Sequence, residues 1–273
     1  MEAPIGRSAR CVWRRRHRAD EARRSIDVMD RVSEAGLVAI GLDLTLVSID
    51  AVSGQTRFGP ALAYALAVGE LVDLALLGRV ALRADRLVVH QPEPVGEPLL
   101  DKALAWLATE QGEPLTVAQW VAERGPWRID EYVFALEAAG VLRLVPIGSA
   151  APRVKRIEVR EAQRIHAAVD RLSGAIASGD SSPYEEQAFA ALAAAAGCAR
   201  EHLRGWDHRA DRKRLRDVSE SACQDSDSDA AARTILGQGV QALRTHAKRA
   251  GGSSRTIDEQ IGLTKTGWWA SGQ

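Results

Sequence analysis

The strongest constraint on the fold is the segment of residues 61–77, which is apolar on almost every helical face and carries only two charges, Glu70 and Asp73. A helix that is hydrophobic all round is a buried one, with other elements packed around it. Gly78 follows the segment and can adopt the left-handed conformation that ends many helices. The sequence therefore predicts a buried central helix around which the rest of the chain is organised.

The segments around this helix predict a mainly α-helical fold. Two short β-branched runs, VAL and LVVH, flank a four-residue polar turn, RADR, and this pattern is typical of a β-hairpin. Amphipathic or apolar periodicity predicts further helices at LLDKALAWL and at residues 159–179, 182–203 and 230–250. The polar stretch 204–229 predicts a helix end and a loop. We expect a single globular multi-helix domain around a buried central helix, with small β-hairpins.

Composition argues against several classes of function. The chain of 273 residues is 46% hydrophobic and 26% charged, as expected of a globular protein. Its net charge is zero, so any attraction to nucleic acid or to an anionic membrane must be local. The three cysteines have neither disulfide nor metal spacing, and no nucleophile–base pair or phosphate-binding loop is apparent. We expect a non-enzymatic, cytoplasmic protein without a metal or cofactor.

The two ends differ in composition from the middle. Residues 1–30 are dense in arginine and lack the apolar core of a secretory signal, so they predict a disordered basic arm. Two interpretations of this arm remain: a translation start placed too early, with Met29 as the true start, or an arm that attracts anionic lipid by up to ~1 kcal/mol per basic residue. The expected division is an arm at 1–30, a helical domain at 31–250 and a disordered tail at 251–273. No run is long and apolar enough to span a membrane.

Several short motifs occur in a recognisable order. ELVDLALLGRVAL precedes LVV and PVGEPLLDKAL, and TVAQWV and LEAAGVLR follow. Their order and spacing resemble the signature of the Golgi phosphoprotein 3 family, with similarity over residues 42–247. The resemblance implies a helical, non-enzymatic peripheral membrane protein that binds the head group of phosphatidylinositol 4-phosphate and the cytosolic tails of membrane proteins. It also implies that residues 37–49, whose periodicity fits either a strand or a short buried helix, form an opening helix.

The resemblance indicates where a lipid head group would bind. Phe58 matches the family's aromatic residue before the central helix, whereas Ala67, Pro126 and Ile129 stand where the family has phosphate-binding arginines. Neighbouring arginines can take over, because a guanidinium binds phosphate through two hydrogen bonds. The alternative interpretation makes Phe58 a hydrophobic anchor and the arginines ordinary surface residues. The predicted head-group site consists of Arg57, Phe58, Arg124 and Arg128.

The family also has a hairpin whose apolar tip enters the bilayer, and residues 143–159 match it. An apolar cluster beside basic residues suits an anionic membrane surface, because insertion and charge attraction add. Alternatively, the apolar residues pack on a neighbouring helix. The predicted membrane-contacting residues are Leu144, Val145, Ile147, Arg153, Lys155 and Arg156.

Residues 99–145 also have the order of a winged helix-turn-helix module, which places its last helix in a DNA groove. Asp130, Glu131 and Glu137 make the corresponding helix acidic, so a duplex would repel it. A winged-helix-like nucleic-acid-binding module and a protein-binding adaptor without lipid affinity remain as alternatives to the lipid-binding hypothesis.

Overall fold

The computed structural model describes residues 39–109, 114–146, 155–202, 209–224 and 229–251. The predicted basic arm at residues 1–30 lies outside these ranges. So does the predicted tail at residues 251–273, apart from its first residue, which ends the last helix.

The described elements confirm a mainly α-helical fold with small β-hairpins. Two antiparallel strand pairs are the only sheets in the described ranges. In chain order the elements are α1 (Ile40–Leu46), α2 (Pro60–Leu76), β1 (Val80–Arg83), β2 (Arg86–Val89), α3 (Pro98–Thr109), α4 (Val117–Arg124), a 3-10 turn (Gly125–Trp127), α5 (Arg128–Ala138), β3 (Leu142–Pro146), β4 (Lys155–Val159), α6 (Ala162–Ser178), a second 3-10 turn (Gly179–Ser181), α7 (Tyr184–Ala196), α8 (Ala199–His202), α9 (Arg209–Ala222) and α10 (Ala230–Gly251).

Helix α2 is the predicted buried central helix. Every residue from Leu62 to Leu74 is buried, because α1, α3, α4, α5, α7 and α10 all pack on it. Pro60 occupies the first helical turn, where its missing N–H costs nothing. Gly78 has a φ of +66° just after the helix, as predicted.

Glycines allow the helices to approach α2 and its neighbours closely. Gly69 of α2 lies against Ile40 of α1, and a Cβ atom added to Gly239 of α10 would lie only 2.5 Å from Cγ1 of Val68. A side chain larger than hydrogen does not fit at Gly239, so the position of α10 relative to α2 depends on this residue, whereas Gly69 makes an ordinary close contact with α1.

Both hairpins form, with one correction to the first. The pairing runs from Val80↔Val89 to Arg83↔Arg86, so the turn contains two residues and not the predicted four. Ala84 and Asp85 form it with φ of 47° and 60°, which is the geometry whose twist matches that of the flanking strands. The second hairpin pairs β3 with β4, and its tip, residues 147–154, lies outside the described residues.

The prediction of a loop after residue 204 is wrong for residues 209–222. They form helix α9, whose buried side chains, Leu215, Val218 and Ala222, lie on one face and pack towards α7. Their spacing of three and four residues is helical, and the many charged neighbours obscured it. Residues 37–49, for which two conformations were open, contain helix α1.

Candidate functional site

The loop before α2 has a well-defined conformation. The Asp50 carboxylate accepts hydrogen bonds from the backbone N–H groups of Val52 and Ser53, at 3.1 and 2.7 Å, and from the Ser53 hydroxyl. These hydrogen bonds lower the pKa of Asp50. Gly54 has a φ of +65° and packs against the backbone carbonyl of Ile157 in β4. The loop is therefore fixed against the second hairpin.

This loop exposes an apolar side chain. Val52 is 95% exposed, the most exposed large hydrophobic residue in the described ranges. Sequence reasoning missed it, because a single valine in a polar loop carries no periodic signal. Exposed single hydrophobic residues are common in proteins, so Val52 gains interest only from its neighbours.

Arg57 and Phe58 follow this loop, directly before α2. The Arg57 side chain is exposed, and its backbone N–H donates to the carbonyl of Ser48 at 2.9 Å. Phe58 is half-buried and packs against the hydrophobic core. The structure thus places a cation and an aromatic ring side by side at the start of the central helix, and both interpretations of Phe58 remain predictions.

Arg124 lies at the end of α4, a helix that begins with a capping box between Thr116 and Gln119. Its guanidinium carbon is 5.6 Å from the ring centroid of Trp106 and 5.2 Å from that of Trp120. Arg124 is 9% exposed, and its Nε and Nη2 atoms have no hydrogen-bond partner in the described part of the chain. Burial lowers its pKa. Two aromatic rings therefore hold a nearly buried cation whose donors are not used up.

Arg128, the first residue of α5, lies inside the core. It is 1% exposed, and its Nη1 and Nη2 atoms lie 2.7 and 2.6 Å from carboxylate oxygens of Glu70 and Glu131. Burial raises the pKa of Glu70, and the Arg128 charge acts against this shift. Since two carboxylates already engage the guanidinium, the observed role of Arg128 is to join α5 to α2.

Two of the three positions that match the family's arginines lie in the core, and the third, Pro126, is half-buried. Ala67 and Ile129 are buried, and the Ala67 carbonyl accepts a 2.7 Å hydrogen bond from the Trp120 indole. The four predicted head-group residues consequently fall into two groups. Arg57 and Phe58 lie at the surface, whereas Arg124 and Arg128 lie along the interior side of α2. Gly125, next to Arg124, packs against Tyr64 in the second turn of α2, and Arg128 lies further along at Glu70.

The root of the second hairpin packs on the domain. Leu144 is half-buried against the core, and its backbone N–H donates to the Glu137 carboxylate at 2.9 Å. Val145 is half-buried and Arg156 is exposed. Ile147, Arg153 and the side chain of Lys155 lie outside what the structure describes. Packing of the root and insertion of the tip are compatible, so the membrane-contacting role remains a prediction.

Among the described residues, no group of three or more His, Cys, Asp or Glu side chains is arranged to hold a metal ion. None of the helices in these ranges combines the length and apolarity needed to cross a bilayer.

Comparison with curated proteins gives no match to this chain. Comparison with models of protein families gives one that covers residues 40–242 and is described as Golgi phosphoprotein 3 (GPP34). The matched residues run from the start of α1 into α10 and make up well over half of the chain. The chain therefore belongs to the Golgi phosphoprotein 3 family.

Proposed function

We propose that this protein attaches peripherally to membranes by binding an anionic phosphoinositide head group, that of phosphatidylinositol 4-phosphate, and that it acts in the cytoplasm without catalysing a reaction. The observation that carries the proposal is the family match, which includes the central helix, the loop before it and the second hairpin. The geometry of the loop and the charge of its neighbours support it.

The proposed membrane-facing surface is built from the loop before α2 and the hairpin that packs on it. Val52 supplies an apolar side chain, Arg57 a cation and Phe58 an aromatic ring within seven residues. Peripheral proteins combine such groups, because apolar insertion and attraction to anionic lipids add. The hairpin residues Leu144, Val145, Ile147, Arg153, Lys155 and Arg156 form the second part of this surface.

Arg57 is the proposed first contact of the head group. It precedes the N-terminus of α2, where the capping residue Gly59 supplies no side-chain hydrogen bond. A helix N-terminus carries a partial positive charge, so it adds to the attraction that Arg57 provides for a phosphate. Arg124 is the proposed second cation, with two donors unused, and Arg128 supports the site by fixing α5 on α2.

The test compares binding of the full chain to vesicles that contain phosphatidylinositol 4-phosphate, measured by co-sedimentation at fixed ionic strength. The test variant is Arg57→Ala/Phe58→Ala. The matched control is Arg216→Ala/Phe134→Ala, which removes the same residue types from exposed positions on α9 and α5. Circular dichroism checks that both variants are folded.

We expect the test variant to bind at least about fivefold more weakly than the control, because it loses a cation at the membrane surface and an aromatic contact. Equal binding by both variants would remove Arg57 and Phe58 from the site. Absence of vesicle binding by the unmodified chain would contradict the proposed function and favour a protein-binding adaptor.

A further inference from the structure

The last turns of α10 carry a cluster of cations. Arg244, Lys248 and Arg249 are all exposed. Arg244 and Lys248 lie one turn apart on the same helical face, and Arg249 lies roughly 100° further around the helix axis. Together with Thr245 they form an open, shallow surface on this helix. The cluster begins after residue 242, so it lies beyond the residues that match the family. It is a feature of this chain that family membership does not explain.

The packing of α10 places this cluster near the start of the central helix. Gly239 contacts Val68, and one and a half to two turns later the His246 ring lies 5.4 Å from the Tyr64 ring. Residue numbers increase along α10 in the same direction in which they decrease along α2, so the two helices are antiparallel. Lys248 and Arg249 therefore lie near the first turn of α2, the end of the helix that Arg57 and Phe58 precede.

The cations of this cluster have no carboxylate partner among the described residues. Within the described ranges, Arg244, Lys248 and Arg249 form no ion pair, whereas Arg128 and Arg171 each hold two or more carboxylates. Part of their mutual repulsion is offset by the negative end of the α10 dipole. The remaining positive potential at this surface favours an anion that carries more than one negative charge.

We propose that Arg244, Lys248 and Arg249 bind the phosphate monoester of an anionic ligand. Two guanidinium groups can each make paired hydrogen bonds to phosphate oxygens, and the lysine adds a mobile point charge. Thr245 contributes no donor, because its hydroxyl already donates to the carbonyl of Gln241 at 3.0 Å. The cluster supplies the phosphate-binding cations that are missing at Ala67, Pro126 and Ile129. The inference that the phosphate belongs to a membrane lipid rests on the proposed function. The phosphate-binding site itself does not depend on it.

The experiment uses two probes with the full chain. Soluble inositol 1,4-bisphosphate, titrated calorimetrically, reports on the phosphate site alone, and vesicles containing phosphatidylinositol 4-phosphate report on the membrane. The test variant is Arg244→Ala/Lys248→Ala/Arg249→Ala. The matched control, Lys213→Ala/Arg214→Ala/Arg216→Ala, removes the same residue types and the same charge from exposed positions on α9.

We expect the test variant to lose at least about tenfold in affinity for both probes, and the control less than about twofold. If the test variant loses affinity for inositol 1,4-bisphosphate but neither the variants nor the unmodified chain bind vesicles, the phosphate site is upheld and the membrane function is contradicted. Equal affinities of test and control variants for both probes would overturn this inference, and strong vesicle binding in that case would leave the proposed function standing.

Discussion

Arg128 lies in a different environment in the structure from the one that its sequence context predicts. In the motif RGPWRID it has the pattern of a surface arginine at a helix start, yet its guanidinium is among the most buried side chains of the described residues. The reason lies in α2, where Glu70 is buried on a mostly apolar helix and needs a cationic partner. The acidic residue at position 70 of an apolar helix is visible in the sequence, but the identity of its partner depends on the tertiary packing.

This pair leads to a prediction about stability. Arg128→Met should lower the free energy of unfolding by about 3–5 kcal/mol, because it leaves the Glu70 carboxylate buried without its partner. Urea denaturation followed by circular dichroism measures the change. The double variant Glu70→Leu/Arg128→Met should recover a large part of the loss, since no unpaired buried charge remains.

The control for this prediction is the exposed pair of Lys102 and Glu131. Lys102 is 57% exposed in its side chain, so Lys102→Met should change the free energy of unfolding by no more than about 1 kcal/mol. If Arg128→Met and Lys102→Met were equally mild, the assigned role of Arg128 in joining α5 to α2 would be wrong.

Gly41 gives a second prediction at this scale. A methyl group at Gly41 would overlap the phenol of Tyr132, which is fully buried and cannot move aside. Gly41→Ala should therefore cost about 1–3 kcal/mol. Gly174→Ala, at an exposed helical position with open space around it, should instead stabilise the protein by about 0.5–1 kcal/mol. Thermal denaturation should therefore show a lower midpoint for Gly41→Ala and a higher midpoint for Gly174→Ala. A shift in the same direction for both variants would contradict the close packing of α1 on α5.

At the scale of elements, the start of α3 depends on a buried acid. The Glu97 carboxylate accepts a 2.6 Å hydrogen bond from the Leu100 N–H, so it caps the helix from inside the protein. Burial is the main cause that raises the pKa of Glu97 from 4.5 to about 7, and the hydrogen bonds oppose it. The cap is thus a group whose charge changes near neutral pH.

A raised folded-state pKa fixes the sign of the pH dependence. The folded protein holds the Glu97 proton more tightly than the unfolded chain, so its contribution to stability is fully present below about pH 4.5 and is lost as the pH rises through 7. The free energy of unfolding of the unmodified protein, minus that of Glu97→Gln, should fall by about 2–3 kcal/mol between pH 5 and pH 8. Urea denaturation across this range measures it, and a constant or rising difference would show that the acid is not buried as described.

Elements with a strong period were predictable from the sequence and elements with mixed signals were not. The central helix and the long amphipathic helix α6 followed from their apolar patterns. Helix α9 was missed, because three buried side chains among eleven mostly charged neighbours give a weak signal. The first hairpin was predicted, but its turn was assigned two residues too many, since arginines at strand ends look like turn residues in a sequence.

For the whole molecule, the resemblance predicted the fold, but the structure divides the predicted head-group residues into two groups. Depth below the surface is a property of packing, so the sequence could not separate Arg57, which is exposed, from Arg124 and Arg128, which are buried. The antiparallel packing of α10 on α2 was equally hidden, although it brings the cluster of Arg244, Lys248 and Arg249 to the same end of the central helix. The exposed cations, Arg57 and the cluster on α10, therefore lie on different elements from the positions of the family pattern.

The central claim, that the protein binds membranes through a phosphorylated inositol head group, is tested most directly by its lipid selectivity. The unmodified chain is titrated with two sets of vesicles of equal net charge, one carrying phosphatidylinositol 4-phosphate and the other phosphatidylserine. We predict binding at least about tenfold tighter to the first set, because clustered cations recognise a dianionic phosphate better than dispersed single charges. Equal affinity for both sets, or binding to neither, would contradict the claim.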